Sequence, residues 1–195
     1  MLFRSVETFP VHDKFSGQLI GHADRASREQ VSAAIAAAEA SFRTTRLDAY
    51  ERFTILRRAG ELIEQRRAEL AATITAEAGF PVSDAQNEVT RAIQTFLISA
   101  EEGKRLAGEV VPIEAAPGQA HRMAFTIRVP RGVVCGITSF NAPLNFVAHK
   151  AGPALAAGNS VVLKAPQATP FSAALLCEIL LEAGLPKGDL NLVQG

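Results

Sequence analysis

Asn141, Lys164 and Gln167 stand where apolar patterns end, and each has a side chain that can meet a ligand. Asn141 brings an amide N–H able to stabilise an oxyanion. Taken by itself it reads first as a turn residue, favoured wherever the backbone reverses, with no ligand involved. Lys164 places a positive charge at the end of a β-branched run, which suits either a solvated strand end or a charge-assisted contact to a hydroxyl. Thiol chemistry has only Cys135 and Cys177 to draw on. Both lie inside apolar element patterns without C-x-x-C spacing, so the sequence predicts structural cysteines, with no disulfide framework, no metal site and no accessible nucleophile. His12, His22 and His121 belong to no constellation, and His149 and Lys150 read as helix-surface residues.

The elements that must position these residues lie between Gly132 and Gln167, which reads as one strand–helix–strand unit. Val133 to Ile137 is short and almost uniformly apolar, predicting a strand buried on both faces of a parallel sheet. Asn145 to Ala157 carries Phe146, Val147, Ala154 and Leu155 at helical spacing. That helix should end at Gly158-Asn159, a pair able to take the positive φ of a C-cap, and Pro153 could kink it. Ser160 to Leu163 is a second buried strand, closed by Lys164. A right-handed crossover puts both strand ends on one sheet edge, the edge at which open α/β sheets bind ligands. Asn141 and Lys164 should therefore face one crevice. In dinucleotide-binding folds the ribose contact comes about 20 residues beyond the first turn, a place held here by Lys164 and Gln167. The turn from Ser139 to Asn145 has no glycine, so the G-x-G-x-x-G phosphate fingerprint is missing.

At these residues the chain resembles the NAD(P)-dependent aldehyde dehydrogenase superfamily. Thr138-Ser139-Phe140-Asn141-Ala142-Pro143 is similar to its T-P-W-N-F-P turn, and Val161-Val162-Leu163-Lys164-Ala165-Pro166-Gln167 to its V-V-L-K-P-x-E segment. Lys150 to Asn159 resembles K-x-A-P-A-L-A-A-G-N and Glu182 to Pro186 resembles E-A-G-L-P, while the likeness runs back through Glu77-Ala78-Gly79 and Glu88-Val89. The resemblance implies an α/β fold in which N-terminal helices pack on the first part of an open parallel Rossmann-like sheet, a truncated form of the family's fold. It divides the chain into a hairpin and helical segment (1–122), an oligomerisation-arm strand (123–131) and the first half of a nucleotide-binding domain (132–195), with the catalytic domain absent.

The same resemblance implies NAD or NADP as cofactor, bound by Ile137, Thr138, Ser139, Phe140, Lys164 and Gln167, with Asn141 as the oxyanion donor. The implied substrate is a small aldehyde oxidised to a carboxylic acid, and the full-length form is implied to be a homo-oligomer. The wording F-N-A-P-L-N and A-H-K is nearest to lactaldehyde, phosphonoacetaldehyde and non-phosphorylating glyceraldehyde-3-phosphate members. The family's nucleophilic cysteine and general-base glutamate have no counterpart, so the chain is expected to be inactive alone. Ser139, Phe140 and Gln167 replace the family's proline, tryptophan and glutamate. Neutral Gln167 removes a charge that would repel a 2′-phosphate, which makes NADP admissible beside NAD. A reading of another class is a non-catalytic nucleotide-binding or interaction module, or the product of a truncated gene.

The remaining sequence fits this frame. Twenty basic and 20 acidic residues cancel among 195 without forming blocks, which excludes nucleic acid and membrane surfaces as partners and favours a small molecule. Charges run through the N-terminus, no apolar h-region appears there, and a cytosolic location is expected. Pro10 and Ser16-Gly17 predict a hairpin within residues 1–24. Ser27 and Gln30 make a capping box for a helix ending near Arg43; Ala49 to Ala78 reads as one or two helices, and Ser83 to Leu106 as another. Their charged residues read as solvated faces. Residues 107–122 read as a connection, and Met123 to Val129 as a strand with one solvated face. Thr169 should cap a helix running to Ala183, with Pro170 at its first position, and Leu190 to Gln194 should be the third parallel strand.

Overall fold

A computed structural model describes residues 7–195; residues 1–6, which open the expected hairpin segment, lie outside the described residues. The chain runs β1 (Thr8–His12), β2 (Leu19–Asp24), α1 (Arg28–Thr44), α2 (Ala49–Gln65), α3 (Arg67–Ala78), α4 (Val82–Gly103), β3 (Val110–Val111), β4 (Ala124–Phe125), β5 (Val133–Ile137), α5 (Pro143–Ala156), β6 (Ser160–Lys164), α6 (Pro170–Glu182) and β7 (Leu190–Val193). A single 3-10 turn at Ile113–Ala115 separates β3 from β4. The expected hairpin forms: β1 and β2 pair antiparallel around a turn in which Gly17 takes φ 72°. Ser27 and Gln30 make the reciprocal capping box at α1.

β5, β6 and β7 form a parallel sheet in that order, with Ile137 in register with Lys164 and Lys164 with Val193. Parallel strands need cover on both faces, and β6 shows how it is supplied. Val161 and Leu163 join the main core with α5 and α6, while Val162 turns to the other face and packs with Ala34 and Ala38 of α1. Behind α5 and α6 lies a further helical layer in which Leu56, Ile63, Ile74, Val89 and Phe96 extend the same core through α2, α3 and α4. Asp189, just before β7, ties the α1 side to the sheet by accepting from Ser41 Oγ at 2.6 Å and Ser160 Oγ at 3.4 Å. Burial raises its carboxyl above the usual carboxylate range, against the pull of those two hydroxyls.

Several expectations are corrected. β5 is an edge strand and is not buried on both faces: Val133 reaches the α1 cluster, but Cys135 is exposed and Ile137 is 67% exposed. The cause is coverage, since the α1 cluster takes in only the first residue of β5 on that face. Cys135 is therefore accessible, contrary to expectation. Met123 to Val129 forms strand pairs only at Ala124–Phe125, with Thr126 N adding a bond of 2.9 Å to the Glu109 carbonyl, and its alternate residues Met123, Phe125, Ile127 and Val129 are 69% to 85% exposed, so the face expected to be covered is the apolar one in solvent. α4 stops at Gly103, short of Leu106, and α5 begins two residues early, with Pro143 at its first turn. α5 continues through Pro153 to Ala156 and ends, as expected, at a left-handed Gly158 with φ 80°.

Candidate functional site

The C-terminal edge of the sheet is built by short-range chemistry. Thr138, the first residue after β5, is buried and binds the end of β6 twice: its amide and its hydroxyl both donate to the Lys164 carbonyl, at 3.1 and 3.2 Å. That double tie holds the β5–α5 turn beside the end of β6, bringing Ile137, Thr138 and Lys164 together. Ser139 Oγ then donates to Asn141 Oδ1 at 2.7 Å. With its oxygen engaged, the Asn141 amide keeps Nδ2 as a free donor among the described residues. Lys164 Nζ and the Gln167 amide make no side-chain hydrogen bond or ion pair among the described residues either. Phe140 and Gln167 are exposed at the same edge.

α5 and α6 rise from this edge, and neither has a local cap. Ala142 precedes α5 and has no polar side chain, while the Thr169 hydroxyl before α6 is buried and makes no bond, so the expected Thr169 cap is absent. Carboxylates from the helical layer take over both ends. Glu88 Oε1 on α4 accepts from the amides of Leu144 (2.8 Å) and Asn145 (3.0 Å). Glu77 on α3 accepts from Phe171 N at 2.7 Å through Oε2 and from Ser172 N at 2.9 Å through Oε1, which also takes the Ser172 hydroxyl. Both carboxylates are buried. Burial raises their pKa above the usual range, and the donated hydrogen bonds pull the other way. The expectation of solvated helix charges thus fails at these two residues. Its failure has a sequence signal: Glu77 follows Ile74 by three residues and Glu88 follows Ala85 by three, so each acid sits inside an apolar stripe.

In the first turn of α5, Asn145 is 3% exposed and both of its side-chain polar atoms lack partners, while exposed His149, one turn further on, has Nε2 3.4 Å from Thr95 Oγ1 on α4. Cys177 is buried in α6, and burial pushes its thiol up to about 12. A cavity of about 470 Å³ lies at the opposite edge of the sheet, lined by Arg46, Arg52, Leu56, Leu155 and Asp189, and shares no residue with the site.

An open parallel sheet with free polar side chains at its C-terminal edge is the arrangement of a nucleotide-binding α/β protein. The model of the aldehyde dehydrogenase family matches residues 3–195, and the chain belongs to that family. It is 46% identical over 191 residues to a 3-sulfolactaldehyde dehydrogenase of Priestia megaterium, covering 98% of this chain and 40% of the relative. The crystal structure of an E. coli NADP-dependent enzyme superposes with a TM-score of 0.92 at 37% identity, covering 97% of this chain and 39% of that one. PnpE, solved in complex with nicotinamide adenine dinucleotide, superposes with a TM-score of 0.90 at 34% identity, covering 97% of this chain and 38% of that one. The chain spans about 40% of the length of the relatives it matches. No described helix is long and apolar enough to cross a membrane.

Proposed function

We propose that this chain is the cofactor-facing, N-terminal part of an NAD(P)-dependent aldehyde dehydrogenase that oxidises an aldehyde to a carboxylic acid. The observation that carries the reading is the tie of Thr138 to the Lys164 carbonyl, which gathers Asn141 and Lys164, both with free donors, at one sheet edge. Lys164 and Gln167 would hold the adenosine ribose, with Ile137, Thr138, Ser139 and Phe140 forming the wall beside it. The bound dinucleotide would supply a hydride acceptor. Asn141 would donate its N–H to the oxygen of the substrate carbonyl as negative charge develops there; losing one such donor in comparable sites costs about a hundred- to a thousandfold in rate. The neutral amide of Gln167 leaves room for a 2′-phosphate, so NADP is accepted as well as NAD. Relatives named as 3-sulfolactaldehyde, D-glyceraldehyde and succinate-semialdehyde dehydrogenases support the chemistry, and a small aldehyde bearing a polar substituent is the proposed substrate class.

In this reading residues 1–122 brace the nucleotide unit, 123–131 form an arm between subunits, and 132–195 open the nucleotide-binding domain. The nucleophile and general base lie outside this chain. Cys177 has a buried thiol held at about 12, far above the range of a working thiolate. Cys135 points from the uncovered face of β5. The chain alone should therefore not reduce NAD(P) with any aldehyde. In the complete dehydrogenase, Lys164→Ala should raise the cofactor KM about tenfold or more, the worth of a charge-assisted hydrogen bond, with little effect on the aldehyde KM. An unchanged cofactor KM would remove Lys164 from the site.

A further inference from the structure

Helix N-termini next to a parallel sheet are ready-made phosphate sites, because their first amides are unpaired and the helix dipole favours negative charge. In this chain the two helix N-termini beside Asn141 and Lys164 already hold a carboxyl group. α5 opens with Pro143, which has no N–H; the next two amides, of Leu144 and Asn145, are both given to Glu88, and Phe146 N already bonds to Ala142 O. α6 likewise opens with Pro170, and the amides of Phe171 and Ser172 are both given to Glu77. Neither helix has a cap of its own to fall back on, and both carboxylates come from the helical layer, far away in sequence.

We propose that Glu77 and Glu88 are built-in carboxyl caps that close α5 and α6 to phosphate, and that Glu88 also fixes the turn carrying Asn141. A dinucleotide would then meet this chain through its ribose, at Lys164 and Gln167, and not through its diphosphate; this last clause alone rests on the function proposed above. A phosphate entering either site would have to displace a carboxylate or lie against it in a poorly solvated place, where like charges repel strongly. The Leu144 and Asn145 amides lie three and four residues from Asn141, so pinning them pins the start of the helix from which the Asn141 turn departs. Glu88 is thus a positioning residue.

Hydrogen exchange on the whole chain, resolved to single amides, tests this. In the wild-type chain Leu144, Asn145, Phe171 and Ser172 should exchange slowly, at rates unaltered by millimolar inorganic phosphate. Glu88→Ala should speed Leu144 and Asn145 by about tenfold and leave Phe171 and Ser172 alone, and Glu77→Ala should do the converse. Added acetate or phosphate should restore the slow rates in each variant by refilling the helix end. Slowing of any of the four wild-type amides by inorganic phosphate overturns the proposal, as does an Ala variant that exchanges like wild type. If the Ala variants do not fold, the wild-type response to phosphate decides. A chain that binds neither NAD nor NADP, yet shows phosphate-indifferent and carboxylate-dependent amides, loses the cofactor reading and keeps the closure.

Discussion

At Glu88 a single oxygen, Oε1, accepts both amides that open α5, whereas Glu77 divides its three donors between two oxygens. The two residues should therefore differ in how they tolerate an amide. In Glu88→Gln the remaining carbonyl oxygen can still accept both bonds. In Glu77→Gln one of two acceptors becomes a donor facing an N–H, which should cost about 1–3 kcal/mol more in denaturant unfolding. Equal costs would show that the helix ends do not depend on this geometry. Protonation gives a second handle. Burial holds both carboxyls above their ordinary value of 4.5. A carboxyl raised in the folded state contributes stability that is fully present below its unfolded pKa and is lost as pH climbs through the folded one. Wild type should therefore lose stability relative to Glu88→Gln as pH climbs above about 4.5. A gap between the two proteins that stays constant across that range in urea titrations would contradict it. Residue identity at the sheet edge was legible because Asn141 and Lys164 close apolar runs. Glu77 and Glu88 escaped because a carboxylate that caps another helix across some 55 to 95 residues leaves no local pattern at its target.

Among the elements, the most faithful part of the sequence was the punctuation. The Ser27–Gln30 box and the Gly158 end of α5 are where local residues suggest, because each is decided within one helical turn. β5 misled for the opposite reason. Its apolar run is that of a covered strand, but cover depends on what packs above it, and α1 reaches only Val133. Gly158 offers the sharpest test at this scale. With φ at 80° it sits where an L-residue is strained, and an added Cβ would lie 3.0 Å from Pro130 Cγ and 3.5 Å from Arg52 Nη1. Arg52 in turn donates to the Ala156 carbonyl at 2.9 Å and so helps to close α5. Gly158→Ala should destabilise the chain by about 1–2 kcal/mol from the left-handed backbone alone, with the crowding added. A chemical-denaturation midpoint equal to wild type would show that the C-cap relaxes freely.

For the whole molecule, the decisive feature is apolar surface that this chain does not cover itself. Met123, Phe125, Ile127 and Val129 are all exposed along a segment that forms strand pairs with its neighbour at only two positions, and Val110, opposite Phe125, is exposed as well. Ile137 and Cys135 leave a second apolar strip on the open edge of the sheet. Monomers rarely leave contiguous apolar patches beyond a few hundred Å² in water, because each Å² so exposed forfeits about 25 cal/mol. An extended segment with unpaired backbone groups is also a template for strand addition. We therefore expect the 195-residue chain to self-associate through residues 123–129. Light scattering after size exclusion should give a mass above the 20.7 kDa of one chain, and the distribution should shift with protein concentration. Ile127→Lys, which puts a charge in the middle of the stripe without touching the core, should move it toward monomer and lower the binding of a hydrophobic dye. A monodisperse wild-type monomer with low dye binding would mean that these side chains find cover within one chain. An Ile127→Lys protein as large as wild type would instead move the contact to the β5 edge, where Ile137→Lys is the matching substitution.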